Sequence, residues 1–381
     1  MNKRYALVLA LLAIVIGGAA LYTHQREESA QPALAAQLGQ PLIKNLEASE
    51  VASIVIRAPQ ATLTLARKAG HWTLAERNGF TADLNKVTDL VLKAIELKIG
   101  RAEAIGEQDR ARLALLDPAK STPPAGGSAT SLMFKSADGR VLAQLLVGKK
   151  YFKSATASAG APADGRFVML PDHPQQVVIV SDPLRLVSAA SADWIAKDGI
   201  AVEHVKSLEV KPAVGEGYKI ERSSESADWK LANAKSGEKL DQAKANAAAY
   251  KLSRLEIDDV AAGGQAGDKD FEHPAVITAT TFDGLTYVLH LGQAEGERYR
   301  LRVEVEGTPR RELELRKDEK PESKAAREKA LAEEMKRLDE RVAREKALKD
   351  YVLLAARSKL ADLPQKKADL LQPKQTSAKK P

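Results

Sequence analysis

HWTLAERNGFTAD (71–83) and DWKLANAKSGEKLD (228–241) say nearly the same thing twice. Each has a Trp, one further residue, then a Leu and an Ala. A polar, Gly-bearing loop follows and ends at an Asp that opens an Ala- or Leu-rich run. Trp72 stands 11 residues before Asp83 and Trp229 stands 12 before Asp241, so the likeness is one of register as well as composition.

The pattern extends outward from these anchors. Upstream of Trp72, VASIVIRA (51–58) is a β-branched run, and ATLTLAR (61–67) alternates with Leu63 and Leu65 on one face. Trp72 and Leu74 share a face in the same way. Alternation with period two is the mark of a strand with one buried side. Upstream of Trp229, VKSLEVK (205–211) and GYKIER (217–222) repeat the arrangement, and Leu231 follows Trp229 at the same spacing. Downstream, Thr81 or Asp83 can cap a helix running through Leu84, Val87, Val91, Ala94 and Ile95; Asp241 opens an Ala-rich helix through Tyr250 and Leu255.

The correspondence continues. SLMFKSADGRVLAQLLVG (131–148) and VITATTFDGLTYVLHLG (276–292) both read strand, Asp-Gly turn, strand, Gly. Asp138-Gly139 and Asp283-Gly284 are hairpin signals, because Gly adopts the positive φ that a tight turn needs. RYRLRVEVEG (298–307) then alternates cleanly, with GRFVML (165–170), followed by QVVIVSD (176–182), as its counterpart in the first half. These readings predict an α+β chain: two tandem similar modules of mostly antiparallel sheet with covering helices, at 43–182 and 204–311. A connector helix over 183–203, anchored by Trp194, is expected between them.

The N-terminus predicts a location. Lys3 and Arg4 precede an uncharged run from Tyr5 to Tyr22. About 18 to 20 apolar residues cross a bilayer as one helix. Basic residues before the run favour a cytoplasmic N-terminus, with the rest of a single-pass chain on the other side of the membrane. The competing reading is a cleaved signal peptide, against which the run is long and lacks a small-x-small site close behind it. Residues 1–22 are thus read as a transmembrane anchor and 23–42, rich in Ala, Gln and Glu, as a linker.

The C-terminal part differs in kind. Residues 312–371 form a charged helical segment, and 372–381 a disordered tail. After Pro321, Leu331, Met335, Leu338 and Val342 line one seam at spacings of 4, 3 and 4. Such a stripe either packs on its own domain or forms a short coiled-coil seam for a partner. The apolar YVLLAARSKLADLPQKKADLL (351–371) is expected to dock back onto the body.

Composition narrows the chemistry. The chain has no cysteine, which removes disulfides, thiol nucleophiles and iron–sulfur or zinc-thiolate sites. The net charge of +7 over 381 residues is spread along the chain, with none of the clustered basic residues and interleaved aromatics of a nucleic-acid binder. There is no phosphate-binding loop, no dinucleotide fingerprint, no nucleophile elbow and no H-E-x-x-H. The six histidines lack ligand spacing. Asp258 with Asp259, and Asp268, Asp270 and Glu272, lack the spacing and glycine of a calcium loop and read as solvated charge. Trp72 and Trp229 read as core aromatics in preference to ligand platforms. No catalytic, cofactor or metal residue is assigned.

The N-terminal anchor, the W-x-L units leading to helix-opening Asp residues, and TFDGLTYVLHLG (281–292) together resemble the domain-of-unknown-function family 4340. Residues 71–84 and 278–292 carry most of the likeness, which extends over nearly everything after the linker. The resemblance implies an envelope accessory role: members often lie in gene neighbourhoods with a gliding-motility-type ABC transporter permease and its large envelope-facing auxiliary protein. It brings no catalytic residue. The Ala/Gly insertions of the first module and the charged C-terminal helix depart from the family pattern. The resulting expectation is a non-enzymatic accessory protein anchored by a single pass in the bacterial inner membrane, N-terminus cytoplasmic and body periplasmic, acting through protein–protein contacts with such a transporter. The alternatives are a periplasmic polysaccharide- or peptidoglycan-binding module using exposed aromatics, and a hydrolase with an unconventional site.

Overall fold

A computed structural model describes residues 38–120, 126–154, 162–262, 271–311, 320–360, 363 and 366–373. The expected anchor at Tyr5–Tyr22, nearly all of the linker and residues 374–381 of the tail lie outside them, as do Asp268 and Asp270. Among the described residues no helix is long and apolar enough to cross a membrane. The chain is α+β and divides into two compact units at Trp194/Ile195, apart from residues 76–80, which cluster with the second.

The first unit contains β1 (Ser53–Ala58), β2 (Ala61–Lys68), β3 (His71–Leu74), β4 (Phe80–Thr81), α1 (Leu84–Glu96) and β5 (Ile99–Ala104). It continues with α2 (Glu107–Arg112), β6 (Thr130–Lys135), β7 (Val141–Tyr151), β8 (Gly165–Met169) and β9 (Gln176–Val180). Its strands form one sheet in the order β4-β3-β2-β1-β6-β7-β8-β9-β5, antiparallel at every pairing from β3 to β5. Alternation decides which side is buried. Leu63, Ile56, Leu132 and Leu145 stand opposite one another across four strands, and all four are buried. Side chains of this size stabilise by roughly 1.5–3 kcal/mol each when fully buried. Helix α1 adds Val87, Leu90, Val91 and Ala94 to the core. On the opposite face, Leu115, Ala129, Leu146, Met169 and Val177 make a second, smaller cluster.

The second unit contains β10 (Val205–Lys211), β11 (Tyr218–Glu221), β12 (Lys230–Leu231), α3 (Gln242–Tyr250) and β13 (Asp259–Val260). Then come β14 (Ala275–Thr281), β15 (Thr286–Glu295), β16 (Arg298–Glu306), α4 (Pro321–Ala347) and β17 (Leu353–Ala356). The order is β12-β11-β10-β14-β15-β16-β17-β13, antiparallel throughout. Tyr218, Val210, Ile277, Leu289 and Val303 stand in one row across five strands. Matched in chain order, the two sheets have one and the same strand sequence, except that the first carries the extra edge strand β4.

Three smaller features recur with the sheets. Each unit begins with a segment that pairs antiparallel with the stretch after its helix. Gly39 N and Leu42 N donate to Ile99 and Leu97 carbonyls, while Ile200 N and Val202 N donate to Leu255 and Leu252. Each helix is capped by an Asp: Asp83 accepts from Asn85 N and Lys86 N, and Asp241 from Ala243 N and Lys244 N. Each cap is then held by the end of its own unit. Asp83 N donates to Trp194 O at 2.7 Å and Asp241 N to Leu370 O at 2.9 Å. Lys86 Nζ donates to Asp193 O at 2.6 Å and Lys244 Nζ to Asp369 O at 2.9 Å.

Four sequence expectations are corrected. Residues 183–203 form no connector helix; the stretch holds a single 3-10 turn, Ser191–Asp193. Local side chains take the backbone groups a helix needs: Leu184 N donates to Asp182, Ala190 N to Ser188 Oγ, and Ser188 Oγ to Asp193. The first module starts before residue 43, because Gly39 to Leu42 are paired to it. The helix opened by Asp241 ends at Tyr250 instead of reaching Leu255, since Leu252 and Leu255 accept from the leading segment. The second module does not close at residue 311: β17 lies between β16 and β13 in its sheet, and 367–370 clasps its helix. The charged helix α4 is therefore an insertion within that module, between adjacent strands β16 and β17. The first unit joins the corresponding strands, β8 and β9, through residues 170–175 alone.

Candidate functional site

The base of α4 carries a polar network built from residues of the second unit. Over 27 residues only Leu338, Val342 and Glu345 of this helix are buried. Leu331 and Met335 are half-buried, so the seam read from the sequence is split. Its C-terminal pair, Leu338 and Val342, packs on the helix's own unit and is not free for a partner, a correction to the four-residue partner seam. The reason is that β16 and its neighbours present an apolar surface where this end of the helix returns to the sheet.

Glu345 is only 3% exposed. Its carboxylate accepts from Ala201 N at 2.9 Å and from the Tyr287 hydroxyl at 2.8 Å. Burial holds its pKa above the usual carboxylate value, offset in part by these two donors and by Arg341. Burial likewise pushes the Tyr287 phenol upward, with the Glu345 charge adding to it. Arg341 pairs with Glu203 at 2.8 Å. Lys346 Nζ donates to Gly307 O at 2.6 Å.

The Asp-Gly turns lie at a related place in each unit and are built alike. Ser136 N donates to Arg140 O and Gly139 N to Ser136 O; Thr281 N donates to Leu285 O and Gly284 N to Thr281 O. Gly139 and Gly284 have φ of 85° and 84°. Their acids differ. Asp138 is exposed, and Ser136 with Arg140 holds its pKa at about 2. Asp283 is buried and receives both Nε and Nη2 of Arg311, at 2.9 and 3.0 Å. Arg311 also reaches Glu334 on α4, so the turn at Asp283 helps seat the helix.

An open groove of about 720 Å³ runs beside α4, between it, the C-terminal end of α3 and Glu203–His204. Tyr250 stands in it with 51% of its surface exposed. The tryptophans lie elsewhere. Trp229, 3% exposed, donates its indole N–H to Asn246 and has Arg222 over its ring at 4.6 Å. It precedes the two-residue strand β12, in which Leu231 is half-buried. Trp72 is half-buried in β3, and Leu74 beside it is in the core. The paired repeat residues are thus framework: caps, turns and core, and they do not converge on one site. Asp258, read as solvated charge, accepts from Lys359 Nζ and Ala356 N. Among the described residues no group of three His, Asp or Glu side chains is placed to hold a metal ion.

Sequence reasoning missed Glu345, Tyr287 and the groove. A single signal was present: Glu345 is seven residues past Leu338 and three past Val342, on the stripe that the helix buries.

The family model described as Domain of unknown function (DUF4340) matches residues 72–275, rather more than half of the chain. No curated protein and no solved structure matches the chain. The matched span starts at Trp72 in the first unit and ends at Ala275 in the second, before α4.

Proposed function

The chain belongs to the DUF4340 family, and from that premise we propose that it is a non-enzymatic accessory protein of a bacterial ABC-type transport system. It is anchored in the inner membrane by residues 5–22, with its body in the periplasm, and acts through contacts with the permease and the envelope-facing auxiliary protein. Its two units are copies of one module, a reading supported by the shared strand order, caps and turns.

The observation that carries the proposal is α4. A helix of 27 residues, most of them exposed, is inserted between adjacent strands where the first unit needs only a short connection. The sheet closes without such a helix in the first unit, so its retention in the second favours a role outside folding. A helix can dock in a groove of a partner protein through apolar residues on one face, and Leu331 and Met335 of α4 are not fully buried by its own unit.

The test is a crosslinked pull-down from detergent-solubilised membranes, with mass spectrometry of what is recovered. The intact protein is compared with a chain in which residues 307–352 are replaced by the first unit's connection, residues 170–175. Recovery of an ABC permease with the intact chain, and its loss with the shortened one, is the expected result. Recovery of the protein alone sinks the proposal and moves the weight to glycan binding. That second reading has lost one of its two aromatics, because the Trp229 ring is covered.

A further inference from the structure

The groove beside α4 is lined by charges that its own unit does not use up. Arg341 is paired with Glu203, His204 with Glu225, and Arg311 with Asp283 and Glu334. The Arg337 and Arg344 side chains make no ion pair or hydrogen bond with any described residue. They are seven residues apart on α4, which puts them on one face of the helix about 10 Å apart along its axis. Between them lie buried Leu338 and the exposed Glu340; across the groove stands the half-exposed ring of Tyr250.

From this juxtaposition we propose that the groove is a docking site for an acidic segment of a partner protein, one with two carboxylates about 10 Å apart and an apolar side chain between them. The inference deepens the accessory reading above and rests on it. Guanidinium groups bind carboxylates in bidentate, charge-assisted pairs. Tyr and Arg are the residue types that most often carry binding energy at protein interfaces. A uniform polyanion fits less well, because Glu203, Glu225, Glu334 and Glu340 also line the groove and would repel it. A polypeptide can place an acid at each free arginine and an uncharged or basic residue at Glu340. The apolar side chain between the acids then packs against Tyr250.

The probe is a fluorescein-labelled helical peptide with two glutamates seven positions apart and a leucine midway, titrated into the full-length protein in detergent. Binding is expected to weaken with salt, and to fall by about tenfold or more in the Arg337→Glu/Arg344→Glu double variant, a change of ~1.4 kcal/mol. Both side chains are exposed, but Arg344 also acts on buried Glu345, so the comparison is made on variants whose circular-dichroism spectrum and melting temperature match the wild type. Arg337→Gln/Arg344→Gln, which adds no negative charge there, should weaken binding as well, and Arg337→Lys/Arg344→Lys is expected to restore part of it. The inference is overturned by no binding, by equal binding of a peptide with glutamines in place of the glutamates, or by displacement of the peptide by polygalacturonate at lower concentration. If the peptide fails while the permease is still recovered in the pull-down, the groove assignment falls and the accessory reading stands. Peptide binding without permease recovery gives the reverse.

Discussion

The backbone of Gly307 passes so close to Gly284 that a Cβ at Gly307 would come within 2.3 Å of the Gly284 carbonyl oxygen. Gly284 closes the β14–β15 hairpin, and Gly307 is the first residue beyond β16, where the chain leaves the sheet toward α4. Both have positive φ, at 84° and 94°. The Gly307 carbonyl also receives Lys346 from the far end of that helix. This one approach therefore ties the hairpin, the departure of the insertion and its return.

Gly307→Ala is expected to destabilise the second unit by more than the ~1–2 kcal/mol that a left-handed backbone costs an ordinary residue, because the added methyl also meets backbone that cannot move aside. Gly296 is the control: its φ is 58° and nothing lies within 4 Å of the position of a Cβ. Gly296→Ala should show the conformational cost alone. Urea denaturation of the two variants decides it. Equal losses would mean that the contact with Gly284 is slack.

Asp83 and Asp241 should be equivalent in energy as they are in geometry. Each accepts two backbone N–H groups at the start of its helix, and each donates its own N–H to the terminal turn of its unit. Asp83→Ala and Asp241→Ala are each expected to cost ~1 kcal/mol, while Asp→Ser at either site should cost less, since Ser caps nearly as well. Measured losses differing by much more than the error of denaturant extrapolation would show that one clasp carries load the other does not.

Much of this framework could be read from local chemistry. Alternation at Leu63/Leu65 and Tyr218/Ile220, positive-φ glycine after Asp138 and Asp283, and Asp at a helix start act over a few residues, so the chain displays them directly. What it hid acts at long range. β17 reads as an apolar tail because its partners, β16 and β13, are brought to it only by folding. The clasp at Asp193-Trp194 has its counterpart at Asp369-Leu370, but a Leu stands in place of the Trp. The insertion of α4 also lengthens the separation, so the likeness escapes a comparison keyed to tryptophan. The stretch 183–203 misled in another way. Its alanines and leucines favour helix, yet Asp182, Ser188 and Asp193 bond the local backbone and turn the chain instead. A lone carboxylate on a charged helix, as Glu345 is, resembles its solvated neighbours until the sheet closes over it.

Two tyrosines of the second unit should respond oppositely to loss of the hydroxyl. The Tyr218 hydroxyl is buried with no hydrogen-bond partner among the described residues, and burial drives its pKa strongly upward. A buried, unsatisfied polar group costs about 1–3 kcal/mol, so Tyr218→Phe is expected to be neutral or stabilising. The Tyr287 hydroxyl donates to buried Glu345, and Tyr287→Phe removes that donor. The second change should destabilise by roughly 1–3 kcal/mol. Chemical denaturation of both variants tests the contrast, and a substantial loss at Tyr218→Phe would contradict it.

Glu345 makes the seat of α4 sensitive to pH, and the direction follows from its surroundings. Burial raises its folded pKa above the ordinary 4.5, so the folded chain holds the proton more tightly than the unfolded chain. Its contribution to stability is therefore full below about pH 4.5 and is lost as the pH rises through the folded value. The groups facing it are the Tyr287 hydroxyl and Ala201 N–H, which favour the charged form, with Arg341 and Arg344 on its own helix acting the same way. Glu203, paired to Arg341, sits on the opposing segment and reduces that help. Glu345→Gln keeps an acceptor for Ala201 but cannot ionise. The variant should thus match the wild type at low pH and exceed it toward neutrality, by on the order of 1 kcal/mol for each unit by which the pKa is raised. Thermal melts of both proteins across this range give the difference directly. A difference that stays flat with pH, or a variant that falls below the wild type as the pH rises, would mean that the two donors and Arg341 outweigh the burial.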